Sequence, residues 1–77
     1  MDDKLIALFS EGLSVPTEDL TDETSPDNTE SWDSLAAMNM VSLIEDTFDV
    51  QLSTRDIMKM RSIGVARSVL QGKGVDV

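Results

Sequence analysis

Three observations in this 77-residue chain predict an all-α fold. Apolar residues recur at three- and four-residue intervals, no segment alternates apolar with polar residues as a half-buried strand would, and Ser or Asp stands ahead of the apolar runs where a helix needs a cap. The expected architecture is a small four-helix bundle, with three longer helices, one short helix and a long loop between the first and second. Residues 1–77 read as a single domain, since a chain of this length holds one core.

Leu5, Phe9 and Leu13 recur at i, i+4 and i+8 with Ile6 beside them, and Gly12 followed by Pro16 ends the pattern, so helix one is predicted at residues 3–13. Residues 14–33 hold both prolines and seven acids with no base, which is loop chemistry, with Val15, Leu20 and Trp32 as its apolar anchors. A structureless loop of this length needs a reason in a compact domain. Residues 34–49 carry the strongest helical pattern. Ser53 and Thr54 can cap a short third helix over 54–61, with Asp56 as the capping-box partner and Ile57 and Met60 facing inward. Ser62 can cap the last helix, whose Ile63, Ala66, Val69 and Leu70 share a face before Gly72 stops it.

Composition removes several function classes. A core of this size contributes only about 3–5 kcal/mol, too little to enclose a large active site. With no cysteine and no histidine, the chain lacks disulfides, thiolate nucleophiles, the commonest catalytic base and most transition-metal sites. Asp2 and Asp3 stand where a signal peptide would be basic, and no apolar run approaches the roughly 20 residues of a membrane span. A cytoplasmic protein without membrane insertion is expected, and Met1 suggests a free-standing chain.

The net charge of −9 is unevenly spread. Residues 1–50 hold thirteen acids against Lys4 alone, whereas Arg55, Lys59, Arg61, Arg67 and Lys73 outnumber Asp56 and Asp76 in the remainder. Such a surface repels nucleic acid and favours basic partner proteins, with an attraction that weakens as salt rises.

Ser34, in Asp33-Ser34-Leu35, stands where the acidic loop meets the apolar run, so its hydroxyl is expected to lie exposed at a helix N-terminus. Unpaired N–H groups and the positive end of the helix dipole would stabilise a phosphodiester there. Serine is also a favoured N-cap, but Ala37 occupies the position a capping box gives to Glu or Gln, and Asp33 could cap equally well. At about 100° per residue, Ala37, Val41, Ile44 and Phe48 form the predicted core stripe, with Asn39, Ser42, Asp46 and Asp49 opposite. Leu35 falls within the polar face and Met38 at its edge near Glu45. An exposed apolar pair rimmed by acids suits a small docking surface.

Asp33-Ser34-Leu35, then Phe48-Asp49-Val50, Leu52 and Ile63, resemble an acyl carrier protein. The tripeptide is weak among nine serines; its spacing to the later residues carries the likeness across nearly the whole chain. The resemblance implies that Ser34 receives 4'-phosphopantetheine from coenzyme A, that Asp33 is the flanking motif residue, and that a separate phosphopantetheinyl transferase aided by Mg²⁺ attaches the arm. A terminal thiol would then present acyl groups as thioesters to loading and processing enzymes. The chain itself would catalyse nothing, hold no metal and work as a monomer. Leu35, Met38, Glu45 and Asp46 match the family's recognition helix, where apolar contacts seat on basic partner surfaces and acids pair with Lys or Arg. A flexible tether of this kind raises effective concentration to roughly millimolar. An acyl chain could also fold between helices if Met38, Met40, Met58 and Met60 yield, although methionines fill ordinary cores equally well.

The chain departs from fatty-acid carriers, which often read Leu-Gly-x-Asp-Ser-Leu. Here the stretch is Glu30-Ser31-Trp32-Asp33-Ser34-Leu35, with Trp32 expected as the loop anchor. Asn39 stands where an acid is frequent, and Arg55, Lys59 and Arg61 make the third helix basic. These changes indicate a specialised carrier for fatty-acid, polyketide or modified-lipid synthesis, with an amino-acyl or peptidyl carrier as the alternative. Two other classes compete. A twelve-residue calcium frame from Asp22 to Asp33 places Thr24 and Pro26 at ligand positions and Asp27 where glycine is required, and so fails. A small acidic helical interaction module without a prosthetic group requires no further motif.

Overall fold

A computed structural model describes residues 3–77, so Met1 and Asp2, with which the single-domain reading begins, lie outside the described residues. Among those described there are four α-helices and no strand: α1 (Lys4–Leu13), α2 (Ser34–Phe48), α3 (Thr54–Lys59) and α4 (Ile63–Gly72). α1 packs against α2 and α4, and α3 packs against α4. The fold is the small all-helical bundle that the periodicity predicts, three longer helices and one short. Among the described residues no helix is long and apolar enough to cross a membrane.

Phe9, Leu5, Met40, Ile44, Ile63 and Leu70 are the largest fully enclosed side chains. The core stripe of α2 therefore departs from the wheel. Met40 and Ile44 are its buried residues, while Ala37, Val41 and Phe48 are only partly covered. The reason lies in α1, which approaches so closely that a Cβ on Gly12 would overlap Met40 Sδ. Gly12 thus serves helix contact and does not end α1. Termination falls to Ser14, which adopts a left-handed conformation (φ 58°) and donates its N–H to Ser10 O.

The long loop is a succession of hydrogen-bonded turns, including a 3₁₀ turn at Thr17–Asp19. Thr24 Oγ1 accepts from Thr21 N–H at 2.9 Å, and Asn28 Oδ1 accepts from Ser25 N–H at 2.9 Å. Leu20 and Trp32 are buried as predicted, and the Trp32 ring lies tilted on Phe9 with centroids 5.1 Å apart. The start of α4 straps the loop down: Ile63 N–H donates to Thr24 O at 3.0 Å and Gly64 N–H to Asp22 O at 2.9 Å. A side chain at Gly64 would crowd Asp22 O, which explains the glycine. Backbone groups satisfied in this way allow a loop to be long without being loose.

Arg67 completes the strap in a role that its sequence context does not disclose. Its guanidinium donates to Asp3 Oδ2 at 2.7 Å, to Asp22 Oδ1 at 2.9 Å and to Val77 O at 3.3 Å, tying α1, the loop and the C-terminal segment to α4. The Arg67 bond holds the Asp3 carboxyl below its ordinary range despite partial desolvation, with further help from the Ile6 and Leu5 N–H groups that Asp3 caps. α3 begins with the predicted capping box, in which Asp56 N–H donates to Ser53 Oγ and Ser53 N–H to Asp56 Oδ2, each at 3.1 Å. Lys73 Nζ lies 2.9 Å from Asp56 Oδ2, and that bond, with the Ser53 N–H, lowers the carboxyl to about 2. α3 ends two residues earlier than predicted, at Lys59, because Met60 turns into the core and Arg61 N–H folds back on Lys59 O at 2.8 Å. Ser62 caps α4 as predicted, through Val65 N–H. Gly72 is the last residue of α4, and it is Gly74 (φ 89°) that adopts the left-handed turn beyond it.

Candidate functional site

Ser34 is the first residue of α2, and the cap belongs to its neighbour. Asp33 has extended backbone (φ −95°, ψ −173°), and its Oδ1 accepts from Ala36 N–H at 2.9 Å. With Asp33 in that role, the exposed Ser34 hydroxyl is left out of capping and stands at the positive end of a 15-residue helix.

The next turn presents apolar surface. Leu35 is 70% exposed and Met38 71%, while Asn39, Ser42 and Asp46 continue the solvent face as the wheel requires. Glu45 is more committed than Asp46: its Oε2 accepts from Leu52 N–H at 2.9 Å, so it braces the α2–α3 connection from a half-buried position. Phe48-Asp49-Val50 is likewise a termination device. Asp49 adopts φ 54°, ψ 51° and donates its N–H to Glu45 O, a conformation that Asp tolerates better than bulkier residues.

The methionines divide into two pairs. Met40 and Met60 are buried, whereas Met38 and Met58 are exposed, Met58 at 72%. Ile57, expected to face inward with Met60, is 38% exposed, because the short α3 rests on α4 and leaves its α2-facing side thinly covered. Behind Ile57 lies a small apolar cavity of about 30 Å³ bounded also by Phe9, Trp32, Ala37, Met40, Val41 and Met60. Alongside it opens a cleft of about 340 Å³ lined by Pro26, Trp32, Asp33, Ser34, Ala37 and Arg61. The structure thus gathers Asp33, Ser34, Leu35 and Met38 around the start of α2. Glu45 and Asp46 lie about two to three turns further along the same helix.

A family model described as a phosphopantetheine attachment site matches residues 3–65, a span that runs from the α1 cap into α4. An acyl carrier protein of Syntrophus aciditrophicus (strain SB) is 36% identical over 63 residues, covering 82% of this chain and 79% of that protein. The chain belongs to the acyl carrier protein family. Its prosthetic group is therefore 4'-phosphopantetheine, held covalently, and its role is to carry acyl groups. A carrier domain of this family acts by presentation, and around Ser34 the structure offers an exposed hydroxyl beside an open cleft. Arg61 is the residue of this region whose place sequence reasoning missed: counted there with the third helix, it lies beyond α3 and borders the same cleft as Ser34.

Proposed function

We propose that Ser34 is the attachment point of the arm and that the chain presents acyl thioesters to enzymes of fatty-acid, polyketide or specialised lipid biosynthesis. The observation that carries this reading is the exposed Ser34 hydroxyl at the first residue of α2, with Asp33 capping the helix and open cleft beside it. These surroundings fit a phosphodiester-linked group, which needs room, solvent and a stabilising helix end. When bound, the group supplies a thiol that holds the acyl unit as a thioester.

The chain's own residues hold and present. Asp33 fixes the first turn, so Ser34 Oγ meets the transferase at a defined position. Ser34 Oγ loses its proton to the transferase as its O–P bond forms and the pyrophosphate bond of coenzyme A breaks, releasing adenosine 3',5'-bisphosphate, consistent with a chain that brings no histidine of its own. Leu35 and Met38 form the apolar contact that seats on partners, and Asp46 pairs with their cations. Glu45 contributes charge there while one of its oxygens braces Leu52 N–H. The net charge of −9 suits a freely diffusing monomer, and the reading includes one domain over residues 1–77 and a cytoplasmic location. Asn39 on the solvent face and the cations Arg55, Lys59 and Arg61 favour a specialised carrier over a general fatty-acid one.

Intact-mass measurement tests the attachment point. After incubation with coenzyme A, Mg²⁺ and a broad-specificity transferase, the protein is expected to gain one phosphopantetheine, and Ser34→Ala is expected to gain none. Unchanged loading of Ser34→Ala would move the site elsewhere. The mass of the acyl group on protein isolated from its source would identify the class of pathway.

A further inference from the structure

The cleft beside Ser34 contains a cation in an otherwise acidic neighbourhood. Residues 14–33 carry seven acids and no base, and Asp33 borders the cleft itself, so a phosphodiester on Ser34 has the positive helix end on one side and a carboxylate on another. Arg61 borders the same cleft. Its backbone is held in place, with Met60 buried on one side, Ser62 capping α4 on the other, and Arg61 N–H bonded to Lys59 O at 2.8 Å. Its side chain is held weakly: the Arg61 Nη2–Asp27 Oδ1 pair spans 3.8 Å between side chains 66% and 88% exposed. Pairs so long and so wet exchange readily. Arg67 and Lys73, by contrast, are held to carboxylates at 2.7–2.9 Å.

We propose that Arg61 is a positioning residue for the prosthetic group, exchanging Asp27 for the phosphate of the arm and holding the arm's first segment in the cleft between α2 and the α3–α4 connection. The guanidinium fork matches two phosphate oxygens, and a charge-assisted bond to phosphate is shorter and stronger than the pair it replaces. In the unmodified chain Asp27 keeps Arg61 near the cleft; in the modified chain the phosphate takes it. The arm thereby alternates between a state pinned along the cleft and a state swung into solvent, with salt shifting the balance toward the swung state. This rests on Ser34 being the attachment point.

The test compares apo and holo forms of the wild type, Arg61→Gln, Arg61→Lys and Asp27→Asn, using Arg55→Gln as a surface-charge control. Two readouts are independent of acyl transfer: the ³¹P resonance of the phosphodiester and the difference in Tm between holo and apo protein. In the wild type, holo formation is expected to raise Tm by about 2–4 °C at low salt, and added salt is expected to shift the ³¹P line. Arg61→Gln is expected to abolish both effects while leaving the apo Tm nearly unchanged. Arg61→Lys should keep part of them, Asp27→Asn should enlarge them, and Arg55→Gln should behave as wild type. Normal loading of Ser34 with the same Tm increment and ³¹P salt shift in Arg61→Gln overturns the role of Arg61 alone. Loading at another residue overturns both this inference and the attachment reading.

Discussion

The two sides of the bundle are built to opposite standards. Where α1 meets α4, Leu5, Phe9, Ile63, Ala66 and Leu70 are all fully buried, and Arg67 ties three segments together with short charged hydrogen bonds. Around the start of α2 and along α3, Leu35, Met38, Ile57 and Met58 remain exposed, a cleft and a small cavity open, and Arg61 at the cleft edge is held to Asp27 by a long ion pair. A close-packed region resists change, whereas a thinly covered one deforms at low cost. This domain thus packs tightly where α1 meets its neighbours and leaves the surface next to Ser34 able to adapt.

The largest expected effect breaks the tight side. Phe9→Ala removes a fully buried ring and its contact with Trp32, and is expected to cost about 3–5 kcal/mol, enough to unfold the domain in a urea titration. Phe48→Ala, to which the wheel would assign the same loss, should cost only about 1–3 kcal/mol because Phe48 is partly exposed. Equal losses would mean that the core extends further along α2 than its burial indicates.

Arg67→Met should come next, at about 1–2 kcal/mol, since it releases Asp3, Asp22 and Val77 O at once. Hydrogen exchange should rise at Ile63 and Gly64, whose N–H groups bond the loop, and no such rise would show that the backbone strap holds without the charge.

The Lys73–Asp56 pair has a pH signature. Asp56 is depressed from 3.8 to about 2, chiefly by Lys73, so its contribution is complete above the ordinary carboxylate value and fades as pH falls toward 2. Lys73→Met is therefore expected to be less stable than wild type at about pH 5, with the gap closing across that window. A gap independent of pH would assign the loss to packing.

The smallest effect on stability belongs to the open side. Leu35→Ala should change stability by no more than about 0.5 kcal/mol yet slow transfer of the arm or of acyl groups, because Leu35 is solvent-facing. Asp46→Lys should slow partner association and flatten its salt dependence. Asp46 tests steering more cleanly than Glu45, whose replacement also removes the bond to Leu52 N–H.

Much of this was legible in the sequence, and what was not has a common cause. Helix positions, the Asp56 capping box, the Ser62 cap and the burial of Leu20 and Trp32 follow from local rules that act within a few residues. The exposure of Leu35 and Met38 follows from the wheel alone. Ile57, Phe48, Gly12 and Arg67 escaped because each depends on a neighbour distant in sequence: the resting place of α3, the approach of α1 to Met40, and carboxylates 45 and 64 residues away.

By itself the sequence determined that this protein is a small acidic helical bundle without thiol or imidazole chemistry, and that Ser34 stands at the start of its longest helix beside an apolar pair. Periodicity, capping and charge are properties of short segments, so they are written in the chain directly. Tertiary structure alone decided that Met40 joins Ile44 in the core while Ala37, Val41 and Phe48 are only partly covered, that Ile57 is left partly exposed, and that Arg61 shares a cleft with Ser34. Those outcomes depend on which faces meet once the loop is strapped to α4, and close packing settles that only when the whole chain is in place.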